Sequence, residues 1–257
     1  MAQADEPIRV YVFAGQSNMV GAGSSTSELA TMSPASMVGS SEVIFWGPFA
    51  DFPMRWSSLQ APTEILQPRS HAGFGPEIGA GPLLARKHPD STIAIVKFAA
   101  SGTSLYRDWD PNRPGGLYRQ MISRVRTAVL NLRSTRSAPV RLAGFFWMQG
   151  ESDSERLGHA GAYEDNLSAF VREVRSDLMA PRLPFVLGRI NDLRHDFRAR
   201  YQYSDIVRRA QVDVARRLPD TYTVSTDGLQ RSTDRIHFSS RGTLELGRRL
   251  VGRSFPL

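Results

Sequence analysis

The sequence predicts an α/β protein, three layers deep, with a central mostly parallel sheet between two layers of helices. Short runs rich in β-branched and aromatic residues alternate along the chain with segments of helical periodicity, and clusters of Gly, Ser and Asp follow the apolar runs. That order is the one a doubly wound sheet produces, and such sheets bind ligands at the carboxyl ends of their strands. Residues 8–14 (IRVYVFA) open as a central strand that stops at Gly15. Residues 21–75 are rich in Gly, Ser and Pro, carry the aromatic islands Ile44-Phe45-Trp46 and Trp56, and read as a functional loop layer. A helix is predicted from Pro76 to Lys87, weakened by Gly79, Gly81 and Pro82, and a second strand over 92–99 (TIAIVKFA). Leu117, Met121, Val125, Ala128, Val129 and Leu132 recur every three or four positions, which makes 117–132 an amphipathic helix. A buried strand at 140–148, a helix at 162–178 and a strand at 185–190 follow. A helix at 204–218, a short strand at 221–225 and a closing helix at 240–251 complete the alternation.

With 257 residues, 41% of them hydrophobic and 22% charged, the chain can bury a large core. No repeat or low-complexity linker divides it, so residues 1–257 are expected to form one domain, with 1–6 a flexible or processed N-terminus. The formal charge is +7, and Lys87 and Lys97 are the only lysines, so nearly all the cations are arginine. Arginine excess raises nucleic acid as a partner. The arginines, however, fall as scattered pairs such as Arg208-Arg209, Arg216-Arg217 and Arg248-Arg249 between apolar residues, without a basic block or interleaved aromatics, so no nucleic-acid partner is expected. No apolar run approaches the ~18 residues of a membrane span, so no membrane partner is expected. Ala2-Gln3-Ala4 has the form of an export-signal cleavage site, which gives a secreted or periplasmic location as the expectation. Zero cysteines remove disulfides, thiolate nucleophiles and every Cys-containing zinc site.

Four segments follow strand ends and would converge on one rim: Gly15-Gln16-Ser17-Asn18-Met19, Ala100-Ser101-Gly102-Thr103-Ser104, Gln149-Gly150-Glu151-Ser152-Asp153 and Asp234-Arg235-Ile236-His237. Asp234 and His237 are three apart, so one turn can hold the carboxylate against the imidazole and leave the other ring nitrogen free as a general base. With no thiol available, the nucleophile for such a base is Ser17, at a strand-to-helix turn. The backbone N–H groups of Ser17 and Gly102 can serve an oxyanion, with the Gln149 carboxamide as a third donor. Gln16, Asn18 and Glu151 are expected to support this site through hydrogen bonds.

These blocks resemble those of the SGNH hydrolase superfamily, in the variant of the sialate O-acetylesterase-like domain and of the acetyl xylan esterases of carbohydrate esterase family 6. The resemblance extends to Trp147-Met148-Gln149-Gly150-Glu151-Ser152, Asp234-x-x-His237-Phe238-Ser239, Gly73-Phe74-Gly75-Pro76-Glu77 and Thr226-Asp227-Gly228-Leu229, and so covers nearly the whole chain. It implies a flavodoxin-like α/β/α fold and metal-free ester hydrolysis by Ser17, His237 and Asp234. It also implies that Gln149-Gly150-Glu151 replaces the Gly-x-Asn block of other members. Gly81-Pro82 departs from the helix formers usual after Glu77.

The expected activity is that of a serine esterase releasing acetyl groups from carbohydrate, of acetyl xylan or O-acetyl sialic acid type, with no cofactor. Its partner is a small-molecule or polysaccharide acetyl ester. An inactive carbohydrate-binding module on the same fold, an esterase for non-carbohydrate acyl esters and a metal-dependent deacetylase are the alternatives; His71, His88, His159 and His195 show no metal-binding spacing. An α/β-hydrolase would need Gly-x-Ser-x-Gly, and Met19 stands where the second glycine belongs. Neither Gly21-Ala22-Gly23 nor Gly73-Phe74-Gly75 continues as a dinucleotide-binding fingerprint. Trp46, Trp56, Tyr106 and Trp109 are candidate sugar platforms or loop anchors, and Trp147 is a core residue.

Overall fold

A computed structural model describes residues 7–37, 40–49, 52–63, 73–197 and 199–253. The expectations for residues 1–6 and for His71 lie outside the described residues. Among them the sheet has seven strands in the order β3-β2-β4-β1-β5-β6-β7, with β1 (Ile8–Gly15), β2 (Ser40–Phe49), β3 (Phe52–Leu59), β4 (Thr92–Ala99), β5 (Val140–Met148), β6 (Phe185–Gly188) and β7 (Thr221–Val224). Only the β2–β3 pairing is antiparallel. The helices are α1 (Ser17–Val20), α2 (Thr26–Met32), α3 (Glu77–Lys87), α4 (Leu117–Thr135), α5 (Leu157–Asp177), α6 (Arg194–Phe197), α7 (Ser204–Arg217) and α8 (Ser240–Arg253).

The three-layer α/β reading holds, for a reason visible in the strands. Val10, Tyr11, Val12, Phe13 and Ala14 are all buried, as are Ile93, Ala94, Ile95 and Val96, because both faces of a parallel sheet are covered. Strands β5, β6 and β7 step outward in one direction, so right-handed crossovers put α4, α5 and α7 on one face. Tyr118 of α4 meets Phe170 of α5 edge-on at 5.7 Å, and α5 packs on α7. On the other face α3 packs against α8.

Three expectations are corrected. Residues 21–75 are not only loop: they hold α2, strand β2 and the edge strand β3, with β2 and β3 joined in register at Trp46 and Trp56, whose rings lie 5.3 Å apart. Pro53 falls in β3, an edge strand, where proline is tolerated. Helix α5 starts at Leu157, five residues before the expected 162, in a stretch whose Gly158 and Gly161 weaken helical propensity. Trp109 is no surface platform: it is fully buried, edge-on to Phe98, Trp147 and Phe170.

Candidate active site

The three central strands end level. Gly15 lies opposite both Ala99 and Met148, the Ala100 N–H donates to the Gly15 carbonyl at 3.0 Å, and the Gln16 N–H donates to the Met148 carbonyl at 2.9 Å. A Cβ on Gly15 would stand 2.0 Å from the Met148 oxygen, so any other residue would push β1 and β5 apart here. This is the point where the strand order reverses around β1, and the crevice above it is where an open α/β sheet binds its ligand.

Ser17 is the first residue of α1 and only 5% exposed. Its N–H and that of Gly102 have no acceptor among the described residues, and Gly102 occupies an exposed turn after β4 at φ +70° with open space around it. Both donors therefore remain available to a bound group.

Asp234 and His237 are brought together by a turn that Arg231 and Phe238 close as a bridge pair. The Ser232 N–H donates to the His237 carbonyl at 2.8 Å, and Arg235 turns the chain through φ +59°. Asp234 Oδ1 accepts from the Ile236 and His237 N–H groups at 2.9 Å and from the Ser232 hydroxyl at 2.7 Å, while Oδ2 lies 2.6 Å from His237 Nδ1. Burial pushes the Asp234 carboxyl up, but these hydrogen bonds outweigh it and hold the group down at about 2. An ionised Asp234 favours the His237 tautomer that carries its proton on Nδ1.

The Ser17 hydroxyl has no hydrogen-bond partner among the described residues, so Ser17 and His237 are not directly bonded. Their segments are fastened together by Asn18. Its Oδ1 accepts from the Phe238 N–H at 2.9 Å and its Nδ2 donates to Glu151 Oε1 at 2.7 Å. Asn18 thereby links the ends of β1 and β5 with the His237 turn. The other oxygen of Glu151 is buried without a partner among the described residues. Burial pushes the Glu151 carboxyl up, against the bond from Asn18 that lowers it.

Gln149 takes a place different from the one expected. Its Nε2 faces three acceptors, Asp153 Oδ2 at 2.6 Å, the Thr103 carbonyl at 3.0 Å and Gln16 Oε1 at 3.1 Å, while its Oε1 meets the Tyr163 hydroxyl. An amide has two hydrogens, so none is left for an oxyanion. Gln149 instead joins the loops after β1, β4 and β5. Gln16 Oε1 also accepts from the Gly150 and Ser152 N–H groups at 3.3 and 3.4 Å.

Sequence reasoning assigned no role to Asp153, Tyr163, Gln211, Glu77 or Lys97. Asp153 accepts from the Leu105 and Tyr106 N–H groups at 2.8 and 2.9 Å and so pins the loop that carries Gly102. Gln211 donates to the Gln149 carbonyl at 3.0 Å. Its signal was a polar residue on the apolar stripe Val207, Ala210, Val214 of α7. Lys97 stands in the otherwise apolar strand β4; its Nζ donates to Glu77 Oε1 at 2.8 Å and to the Val20 carbonyl, the last of α1, at 3.0 Å. Thr63 and the Gly75 N–H bond the same Glu77 oxygen. One buried ion pair thus sits beneath the helix that begins with Ser17.

A family model described as carbohydrate esterase, sialic acid-specific acetylesterase, matches residues 7–255. The chain belongs to this family. A protein of Arabidopsis thaliana named as a probable carbohydrate esterase is 25% identical over 250 residues, covering 94% of this chain and 88% of that one. Its crystal structure superposes with a TM-score of 0.76 at 23% identity, over 96% of this chain and 97% of the other. The structure of NanS gives 0.69 at 17% identity over 97% of both chains. A carbohydrate acetylesterase from Xanthomonas citri gives 0.65 at 19%, over 94% of this chain and 54% of that longer one. The architecture is that of the SGNH hydrolases, and membership makes this chain a carbohydrate esterase.

Proposed function

We propose that this carbohydrate esterase removes acetyl groups from sugar hydroxyls with Ser17 as nucleophile, His237 as base and Asp234 as the group that orients it. The observation that carries the reading is Asn18, which fastens the Asp234–His237 turn to the residue beside Ser17. Ser17 Oγ attacks the acetyl carbonyl carbon as His237 Nε2 takes its proton. The oxyanion that forms is met by the N–H groups of Ser17 and Gly102. Collapse breaks the bond to the sugar oxygen, which receives the proton from His237 and leaves as a hydroxyl. Water then attacks the acetyl-serine, giving its proton to His237; acetate departs and Ser17 recovers its hydrogen. The reading requires the Ser17 hydroxyl to meet His237 Nε2 when substrate fills the site, where catalytic hydrogen bonds tighten.

Ser17→Ala is expected to lower acetate release from p-nitrophenyl acetate by about 10⁴-fold or more with the circular dichroism spectrum intact. A fluorophosphonate probe is expected to label the parent chain and not the variant. Undiminished turnover by Ser17→Ala sinks the reading. The residues invoked use no metal, so activity should persist in EDTA; loss on chelation that zinc restores would contradict the mechanism.

A further inference from the structure

Tyr106 is 49% exposed, the single aromatic among the exposed large apolar residues described, yet it is not loose. Its ring stacks on His159 at 4.2 Å between centroids and 12° between planes. Its N–H is held by Asp153 Oδ1, and the preceding Leu105 N–H by Asp153 Oδ2. His159 rides on the first turn of α5, half-buried, and its Nδ1 is buried with no hydrogen-bond partner among the described residues. One face of the phenol is covered by the imidazole, so the exposure belongs to its opposite face and edge.

The platform is indexed to the reacting groups. Thr103, one residue past Gly102, places its carbonyl on the same Gln149 amide that bonds Gln16, the neighbour of Ser17. Tyr106 is three residues further, a chain length of at most about 11 Å. An immobilised aromatic face presents the negative side of its quadrupole, to which the C–H groups on one face of a pyranose are attracted. Preordering by His159 and Asp153 removes the entropy that a free side chain would lose on stacking.

We propose that the Tyr106–His159 pair is the stacking subsite for the sugar ring that bears the acetyl group, which makes Tyr106 a specificity-determining residue. This rests on the carbohydrate acetylesterase reading above, and one experiment separates the two. Steady-state acetate release is measured on peracetylated methyl xylopyranoside and on glycerol triacetate, which carries an acetyl ester and no ring, for the parent, Tyr106→Ala and Tyr106→Trp. The ratio of kcat/KM on the pyranoside to that on the triacetate is expected to fall about fivefold to tenfold in Tyr106→Ala, mostly through KM. Tyr106→Trp should hold or raise that ratio. An unchanged ratio in Tyr106→Ala overturns the subsite and leaves the esterase reading standing. A parent chain inactive on both esters overturns the esterase reading, and the subsite with it.

Discussion

Asp234 accepts hydrogen bonds from three residues within three positions of itself, so the carboxylate needs no distant part of the fold to stay ionised. Its folded-state carboxyl is held down at about 2, below the ordinary aspartate value of 3.8, so its stabilising contribution is complete above pH 4 and is lost as pH falls from there toward 2. An acid limb of the kcat/KM profile lying above pH 4 therefore arises from a group other than Asp234. Glu151 has the opposite sign. Burial raises its pKa, so the native state holds its proton where the unfolded chain releases it, and the molecule loses stability as pH rises above the ordinary glutamate range. Glu151→Gln is expected to flatten that decline. Denaturant midpoints for variant and parent should diverge as pH rises above the ordinary glutamate range, with the variant the more stable at the upper end. Parallel curves would show that Glu151 is ionised in the native state. Asn18→Ala cuts both bonds that hold the Ser17 segment to its partners. A displacement near 1 Å of a reacting group costs about 10²-fold, so kcat should fall tenfold to a hundredfold with KM little changed.

At the scale of elements, the question is what keeps α1, a single turn, where the chemistry needs it. Lys97 of β4 and Glu77 of α3 form an ion pair whose side chains are 3% and 0% exposed, and the lysine also binds the last carbonyl of α1. Removing one partner from such a pair leaves the other charge buried alone, at a cost of about 3–5 kcal/mol. Lys97→Met and Glu77→Gln should each lower the urea midpoint strongly, and the double variant should cost less than the two single changes added together. Full additivity would mean that the pair acts as two separate residues. Gln149→Leu tests the other junction. It strips a donor from Asp153, Thr103 and Gln16 at once, and the expected loss is at least about 2 kcal/mol of stability. Parent-like stability in that variant would contradict the framework role.

At the scale of the molecule, a single buried cluster runs from Ile8 to Val251 through both faces of the sheet. We expect one cooperative unfolding transition, coincident by tryptophan fluorescence and far-UV circular dichroism; separated midpoints would divide the chain into domains. Many of the arginines form surface ion pairs such as Arg209–Asp205 and Arg217–Glu164, each worth little in water.

The alternation of strands and helices was legible because a strand covered on both faces must be apolar throughout and a helix covered on one must be apolar every third or fourth residue. Ser17, Asp234 and His237 were legible as candidates because each stands in a short segment after a strand. Asp234 meets His237 across three residues, so that contact follows from the local chain. Strands β2 and β3, at one end of the sheet, were hidden by the glycine and prolines within them. Gln149 was misassigned because a carboxamide's role depends on which acceptors reach it, and those come from Gln16, Thr103 and Asp153 on three different loops. Local spacing determined the candidate chemistry; which donors stay free for it was decided by tertiary structure, since a hydrogen bond is satisfied by whatever partner folding brings within 3 Å.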